Sequence, residues 1–393
     1  MSTPAMEVPS PVSHSPFRIG VLLSSTGPYS VVASAMLNGV LLAADRFLAE
    51  TGHALDLAIK DPGGCPERYP ELCEGLLRSG IRHVIGCYTS SSRKDVIPLF
   101  EKHDALLWYP SHYEGFETST NTIYTGAVPN QHVIPLVRHL LDQGRTRAFC
   151  IGSNYVWAWE NNRILRDELT RHGGAVLAER YLPVGQTDVA AHIDAILAAA
   201  PDVVFSTLIG CSSYAFLNAF RAACTQHGID QPRRLPVASC SLSEPELDAI
   251  GPAAVEGHIS ASVYFASITS PENAAFTAAH QARFPEGPTM SADAEAAYVA
   301  TLLLSRALDA AGSDDVAAVR GALSRQRLAA PQGEVWIDDQ TSHAYLTPRI
   351  GLSNRHAQFD IIMEASAPVQ ADPYLVRSSA RLEAAQPTLQ LVS

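Results

Sequence analysis

The chain has 393 residues, of which 47% are hydrophobic and 17% are charged, and its formal net charge at pH 7 is −12. This acidic balance, together with the absence of any run of Lys or Arg residues, excludes direct binding to nucleic acid. We find no continuous apolar run of about 18 residues and therefore predict no membrane span. The length is sufficient for two domains.

The first part of the chain alternates between strand and helix patterns. Residues 17–24 predict a first strand, and the helical repeat that follows ends at Gly52. Residues 54–59 predict a second strand, and residues 82–87 predict a third after another helix. This β-α-β-α-β order is the unit of a parallel, doubly wound sheet.

Two apolar runs in this region end in loops that are rich in hydroxyl groups. Val84 and Ile85 lead into GCYTSSS, and residues 105–108 lead into YPSHY. In an open α/β sheet, ligands bind beyond the carboxyl ends of the strands. We therefore predict that these two loops form one wall of a site for a small, neutral, polar ligand.

The pattern predicts a second lobe after a crossing passage at 122–131, where Gly and Pro interrupt the chain. Alternation of strand and helix then resumes, and short alternating segments after residue 332 predict a β-meander. We predict an α/β protein with two Rossmann-like lobes and parallel sheets, joined by a multi-crossing hinge that closes around a ligand. The predicted division is a disordered leader at 1–16, an N-terminal lobe at 17–127 plus 257–332, a C-terminal lobe at 128–256 plus 333–376, and a tail at 377–393.

Motifs for covalent, phosphate or metal chemistry are absent from the sequence. It contains no P-loop, no Rossmann glycine fingerprint, no Cys/His cluster and no nucleophile elbow. The nearest string is Ser90-Ser91-Ser92 with Lys94, and a serine at a helix start is more often an N-cap than a nucleophile. We predict no enzyme, no metal and no cofactor, and keep an amidohydrolase that uses Ser90 as a remote alternative.

The predicted ligand-binding residues lie at or near strand ends. They are Tyr88, Thr89, Ser90, Tyr109, Pro110, Ser111, Tyr155, Trp157, Thr207 and Gly210. A small amide needs an acceptor for its N–H groups and a donor for its carbonyl, which hydroxyls and helix-start N–H groups supply. Tyr and Trp add flat walls. Since no charged residue is in this set, we expect the site to exclude ions through their desolvation cost.

Several of these positions also have a purely structural interpretation. Tyr88 and Tyr109 are typical of packing aromatics at a sheet edge, and Ser90 is typical of a helix cap. Thr207 fits an ordinary strand end, and Trp157 fits packing on a lobe surface.

Three titratable neighbours of the site are predicted to have no ligand-binding role. His112 reads as a loop histidine, because nothing near it in the sequence tunes its titration. Arg93 and Lys94 read as solvated helix residues or as contacts between the lobes.

Several segments resemble a known family: GCYTSSSRKDVIP, YPSHYEGFE, YTGAVPNQ and GSNYVWAWEN. They resemble the amide-sensing negative regulators of aliphatic amidase operons (AmiC-like), whose relatives are the periplasmic urea and short-chain amide binding proteins of ABC transporters. The resemblance covers residues 17–375 and implies a type I periplasmic binding protein fold with its ligand in the cleft between the lobes. By position it implies ligand contacts from Tyr88, Ser90, Tyr109, Ser111, Tyr155 and Trp157, with Thr207 as a second-lobe contributor.

The sequence departs from those regulators at two places. Ser111-His112 stands where they usually show Thr-Pro, and Trp157 stands where they usually show Tyr. The bulkier indole and the altered loop imply a change in ligand size, so the resemblance does not identify the amide.

The resemblance implies a negative regulator of amidase or nitrile-degradation genes that sequesters an RNA-binding antiterminator (AmiR-like) until an amide binds. We also expect a homo-oligomer. Residues 1–16 lack the basic and apolar regions of a secretory signal, and we therefore predict a cytoplasmic protein. The alternative is a periplasmic substrate-binding protein of an ABC transporter for urea or short-chain amides.

Overall fold

The computed structural model describes residues 17–378, within which fifteen strands and twelve α-helices form. The strands are β1 Phe17–Leu22, β2 Leu55–Lys60, β3 His83–Gly86, β4 Leu106–Tyr109, β5 Thr122–Tyr124, β6 Arg147–Ser153, β7 Ala175–Leu182, β8 Val203–Thr207, β9 Val237–Ser239, β10 Ile259–Ser262, β11 Leu328–Ala330, β12 Gly333–Ile337, β13 Ala344–Tyr345, β14 Arg349–Ser353 and β15 Phe359–Glu364. The helices are α1 Ser30–Thr51, α2 Arg68–Arg78, α3 Ser90–His103, α4 Val133–Asp142, α5 Val156–Arg171, α6 Ala190–Ala199, α7 Cys211–Gln226, α8 Gln231–Arg234, α9 Glu244–Ile250, α10 Pro271–Arg283, α11 Ala292–Ala311 and α12 Val316–Leu323.

The strands form two main sheets and one small sheet. The first sheet has the order β2-β1-β3-β4-β5 and is parallel throughout. The second has the order β15-β14-β10-β9-β8-β6-β7, in which β14 and β15 run antiparallel to their neighbours. The third sheet is short and antiparallel, with the order β11-β12-β13. The predicted α/β fold with two lobes of parallel sheets is confirmed.

The segment β3-α3-β4 shows why the first sheet forms where it does. Every residue of β3 and β4 is buried, as expected for strands covered by helices on both faces. Helix α3 begins after Thr89, whose side chain accepts a hydrogen bond from the Ser92 N–H at 3.3 Å. It ends at Asp104, which adopts the left-handed conformation. The cap is therefore Thr89 rather than Ser90, because Ser90 already lies within the first turn.

The core of the first lobe includes a close contact between α1 and α11. A Cβ added at Gly39 would lie 2.2 Å from the Ala294 carbonyl oxygen, so the two backbones approach each other more closely than a side chain allows. Helix α1 is also long and apolar enough to cross a membrane by length and composition alone, a test that buried core helices and signal sequences pass equally. Half of its apolar window is buried within the fold.

Three passages connect the two main sheets, between β5 and β6, between β10 and α11, and between β13 and β14. The division into lobes stays a proposal. Strand pairing places β10 in the second sheet, although the predicted N-terminal lobe included 257–332. The predicted boundary at 332/333 also separates β11 from its partner β12, and residue Tyr124 at the edge of the first sheet forms a bridge to His343.

The predicted leader at 1–16 and the predicted tail beyond residue 378 lie outside the described residues. All seven cysteines lie within the described part and are free thiols in the structure. The Cys65 thiol contacts the Glu67 carboxylate at 3.0 Å.

Candidate functional site

A small cavity of about 20 Å³ lies between the two lobes. The first lobe contributes the loops after β4 and β5 and the start of α11, and the second contributes the segments after β9 and β10. The lining residues are Pro110, His112, Gly126, Ala127, His132, Cys240, Ser241, Leu242, Ser243, Ala261, Ser262, Val263, Ala292, Asp293 and Ala296. One water needs about 10–15 Å³ of such space, so this cavity between the lobes has room only for a very small molecule.

Aromatic rings from both lobes form contacts near this cavity, and one of these contacts reaches the lining residue His112. The Tyr88 ring lies 5.3 Å from the Tyr29 ring within the first lobe. Tyr155 and Trp157, from the second lobe, stack at 6.3 Å, and the Trp157 ring meets the His112 ring edge-on at 5.3 Å. His112 lines the cavity, so this last contact joins the two lobes at the cavity wall.

Trp157 carries a buried donor that lacks an acceptor. The side chain is 2% exposed, and its Nε1–H has no hydrogen-bond partner among the described residues. Leaving a buried donor unsatisfied costs about 1–3 kcal/mol, so such groups in native structures require an explanation. A ligand carbonyl beside the His112 and Trp157 rings would satisfy this donor.

A hydrogen-bond acceptor is supplied by Asp293, in the first turn of α11. Its Oδ1 atom accepts hydrogen bonds from the Ser111 hydroxyl at 3.1 Å and from His112 Nδ1 at 3.0 Å. The side chain is nearly buried and lines the cavity. The sequence-based expectation of a site without charge is therefore wrong, because a carboxylate from a distant helix enters it.

A second buried carboxyl group lies close by. Glu246 accepts from the Ser243 N–H at 3.0 Å, and burial raises its pKa to about 8, with the Asp293 charge adding to this shift. Burial also raises the pKa of the Tyr88 phenol, and the charges of Glu246 and Asp293 raise it further. Glu246 and Tyr88 are therefore buried close enough to Asp293 for its charge to act on both.

The pKa of Glu246 gives a testable pH dependence of stability. Its carboxyl group ionises near 4.5 when unperturbed and at about 8 in the folded protein, so the folded state holds an extra proton between these values. Stability is therefore expected to fall as pH rises through this window, by up to about 1.4 kcal/mol per pH unit. Glu246→Gln should reduce the slope of the urea unfolding free energy between pH 5 and pH 8.

Three other buried groups also contribute to the pH dependence of stability. Glu244 and Glu295 have pKa values raised to about 7 by burial, so they act in the same direction and part of the slope will remain. Burial lowers the pKa of His132 to about 3, which removes stability as pH falls below about 6.5 in both proteins. An unchanged slope in the Glu246 variant would show that this carboxyl group ionises normally in the folded state.

Ser90 and Arg93 belong to a buried ionic cluster in the first lobe and do not line the cavity. The Ser90 hydroxyl donates to Glu114, and the Arg93 guanidinium donates to Glu114 at 2.9 Å and to Glu117 at 2.8 Å. Arg93 is fully buried and lies 4.5 Å from the Tyr113 ring centre. The prediction that Arg93 is a solvated or lobe-contact residue is wrong, since the loop at 111–117 folds back over α3.

Other predicted site residues are used within their own lobes. The Tyr109 hydroxyl donates to the Tyr88 carbonyl at 3.0 Å. The Thr207 hydroxyl is buried and donates to Asn162 at 3.2 Å. Thr89 serves as the N-cap of α3. Pro110 lines the cavity and Ser111 binds Asp293, so these two lie at the site itself.

Gly210 contacts the other lobe rather than the cavity. The Cys211 N–H, next in sequence, donates to the Pro28 carbonyl at 3.4 Å, and a Cβ at Gly210 would lie 2.2 Å from that same oxygen. A further contact between the lobes places the Arg163 guanidinium 4.9 Å from the Phe116 ring centre. Both contacts depend on closure of the two lobes.

Of the residues that line the cavity, sequence reasoning predicted Pro110 and missed the others, among them Asp293 and His112, which was predicted to have no ligand-binding role. It also missed Glu246 and Tyr29, which lie near this region. Tyr29 ends the SSTGPY loop after β1, and the strand-end rule applied to that loop would have found it. Asp293 and Glu246 lie in the first turns of helices, where acidic residues are common for reasons of helix stability alone, so their sequence positions carry no distinctive signal. In the described chain, no group of three or more His, Cys, Asp or Glu side chains is arranged to hold a metal ion.

Two α/β lobes with a small cavity between them are the architecture of the type I periplasmic binding proteins. The sequence profile of the periplasmic binding protein domain family matches residues 17–380, and the chain belongs to that family.

Solved structures show the same fold at low sequence identity. An ABC transporter solute-binding protein from Rhodopseudomonas palustris in complex with p-hydroxybenzoic acid has a TM-score of 0.82 and 21% identity, over 93% of this chain and 100% of that chain. An amino acid ABC transporter substrate-binding protein from Pseudomonas fluorescens has a TM-score of 0.76 and 20% identity, over 92% and 98%. These neighbours are binding proteins rather than enzymes.

A curated relative matches over a short region. It carries the name limonene hydroxylase, from Geobacillus stearothermophilus, and is 27% identical over 122 residues. The matched region spans 31% of this chain and 22% of that relative, so the chain covers less than a quarter of the relative's length.

The predicted cytoplasmic location is wrong. The chain belongs to the periplasmic binding protein family, and the solved structures that share its fold include solute-binding proteins of ABC transporters. The prediction rested on the composition of residues 1–16, which did not outweigh the family to which the rest of the chain belongs.

Proposed function

We propose that this protein is the substrate-binding component of an ABC transporter and that it binds urea or a short-chain aliphatic amide between its lobes. The observation that carries the proposal is an acceptor at the small cavity with a donor next to its wall. Asp293 lines the cavity and supplies carboxylate oxygen, and Trp157, whose ring lies 5.3 Å from that of the lining residue His112, has a buried N–H without a partner. An amide has the complementary pair, N–H groups and a carbonyl.

The size and charge of the cavity support a small uncharged ligand. Its volume of about 20 Å³ corresponds to one or two water molecules, so it favours the smallest ligands. Among the described residues that line it there is no Lys or Arg, and His132 stays neutral because burial lowers its pKa to about 3. A ligand carboxylate would therefore lose its hydration without gaining a positive partner.

A regulator that sequesters an antiterminator was the function first implied by the resemblance. That role requires a location inside the cell. The predicted cytoplasmic location was the only feature that favoured a regulator over a transport protein, and that prediction is wrong. The amide-binding step is common to both roles, so the proposal retains the ligand class and replaces release of an antiterminator with delivery to a permease. Co-purification with the permease subunits of a transporter supports the proposal, and co-purification with an RNA-binding protein contradicts it.

The donor of Trp157 gives a direct test of the ligand. Trp157→Phe keeps a ring beside His112 and removes the N–H, so we expect acetamide and urea to bind about 10- to 100-fold more weakly in calorimetry. Trp159→Phe is the matched control on the same helix, since its indole is half exposed and already bonded to Asn154 at 3.1 Å. Equal affinities for the two variants would remove Trp157 from the site.

A ligand panel tests the class as a whole. We expect acetamide, propionamide and urea to raise the thermal unfolding temperature, because a ligand that binds only the folded state stabilises it by mass action. Benzoate, p-hydroxybenzoate and leucine are expected to have no effect. Stabilisation by an aromatic acid and not by any amide would overturn the proposal.

A further inference from the structure

The cavity has one charged side chain whose second oxygen is unused. The three hydrogen bonds that Asp293 receives from the described residues, from Ser111 Oγ, His112 N and His112 Nδ1, all reach Oδ1. Its Oδ2 atom therefore has no partner among those residues, although Asp293 is only 3% exposed and lines the cavity. The Ser111 and His112 bonds fix the carboxylate plane, so Oδ2 is held in place as an acceptor.

The surroundings of Asp293 make this acceptor selective. Burial raises the pKa values of Tyr88, Tyr155 and Glu246, and the Asp293 charge adds to each rise. The rest of the wall is built from small or neutral residues such as Gly126, and no Lys or Arg from the described chain lines it. In this low-dielectric setting a second carboxylate would be repelled and an N–H group attracted.

We propose that Asp293 is the specificity-determining residue of the site, with Oδ2 accepting a hydrogen bond from the nitrogen end of the ligand and its charge excluding carboxylates. This inference rests on the proposed amide-binding function and deepens it, because it assigns the end of the ligand that carries the N–H groups. Trp157 Nε1, the buried donor without a partner, is then the group for the carbonyl end. The ligand class is a small carboxamide or urea that presents N–H to one lobe and C=O to the other.

Three molecules of nearly the same shape test the assignment: acetamide, which is neutral, acetate, which is an anion, and acetamidinium, which is a cation. We expect the wild-type protein to bind acetamide at least about tenfold more tightly than acetate in calorimetry at pH 7. Asp293→Asn keeps the size of the side chain and removes its charge. In that variant the ratio of acetamide to acetate affinity should fall by about tenfold or more, and acetamidinium binding should weaken.

Asp339→Asn is the matched control, since Asp339 is exposed and outside the cavity. A thermal unfolding temperature close to wild type shows that Asp293→Asn is folded. Should that variant fail to fold, Ser111→Ala provides the second test, because it frees the carboxylate from one of its bonds and should reduce selectivity in the same direction. Ligand affinity that falls without any change in the ratio would assign Asp293 a structural role and overturn the inference.

The outcomes also separate this inference from the function on which it rests. Wild-type protein that binds acetamide, with a ratio unchanged in Asp293→Asn, contradicts the inference and leaves the proposed function in place. Wild-type protein that binds acetate as tightly as acetamide contradicts the proposed selectivity, while the proposal that the cleft binds a small ligand stands. Wild-type protein that binds none of the three overturns both.

Discussion

Replacing Gly210 with alanine is expected to lower ligand affinity about tenfold or more by opposing closure of the lobes. A Cβ at this position would lie 2.2 Å from the Pro28 carbonyl oxygen of the opposite lobe, which is far inside van der Waals contact. The backbone of Gly210 cannot move away freely, since the adjoining Cys211 N–H donates to the same carbonyl. The closed arrangement would lose population, and apparent affinity falls in proportion to the competent fraction.

Backbone strain must be separated from this clash between the lobes. Gly210 has φ 58° and ψ −143°, a conformation essentially confined to glycine, which alone disfavours alanine by about 1–3 kcal/mol. Gly228→Ala is the control for a positive φ without a clash, because Gly228 has a φ of 65° and a Cβ there would have no neighbour within 4 Å. We expect both variants to lose stability, and the Gly210 variant alone to lose affinity and ligand-induced compaction in small-angle X-ray scattering. Equal affinities would show that this contact does not limit closure.

Removal of the Arg93 guanidinium is expected to cause the largest loss of stability. Arg93→Met keeps the length of the side chain and leaves Glu114, which is also buried, without its main counter-charge. Breaking one side of a buried ion pair costs about 3–5 kcal/mol, because the remaining charge stays desolvated. The loss should be read from the free energy of urea unfolding at pH 7.

Lys94→Met provides the comparison for this prediction. Lys94 contacts the same cluster through Glu117 at 2.8 Å, but its side chain is 39% exposed. An exposed pair contributes about 0–1 kcal/mol, so the two variants should differ by several-fold in their effect on stability. Arg93→Lys should lie between them, since lysine keeps the charge and loses the two-pronged hydrogen bonding. A loss below about 1 kcal/mol for Arg93→Met would show that the cluster contributes little.

These predictions separate two parts of the same loop. The residues at 110–112 meet the cavity and Asp293, whereas Glu114 and Glu117 anchor the loop to α3 through Arg93. A rigid anchor on one side holds the ligand-facing residues in position on the other, which is the arrangement that a selective site requires. Ser90 lies at the start of α3, and its hydroxyl bonds Glu114, so it contributes to holding the loop against α3.

The sequence by itself determined the α/β class and the two-lobed arrangement, and it predicted a site at the strand ends. Those follow from local periodicity and from the rule that parallel strands end at one edge. It also nominated Ser111 and Trp157, which follow β4 and β6 in the chain, and their role in ligand binding stays a prediction; in the structure Ser111 binds Asp293 and Trp157 contacts His112. The tertiary structure alone decided which groups share that space. Asp293 reaches Ser111 across 182 positions in sequence, and Arg93 draws Ser90 and Glu114 into the first lobe, because packing and charge pairing act through space and leave no periodic trace in the chain.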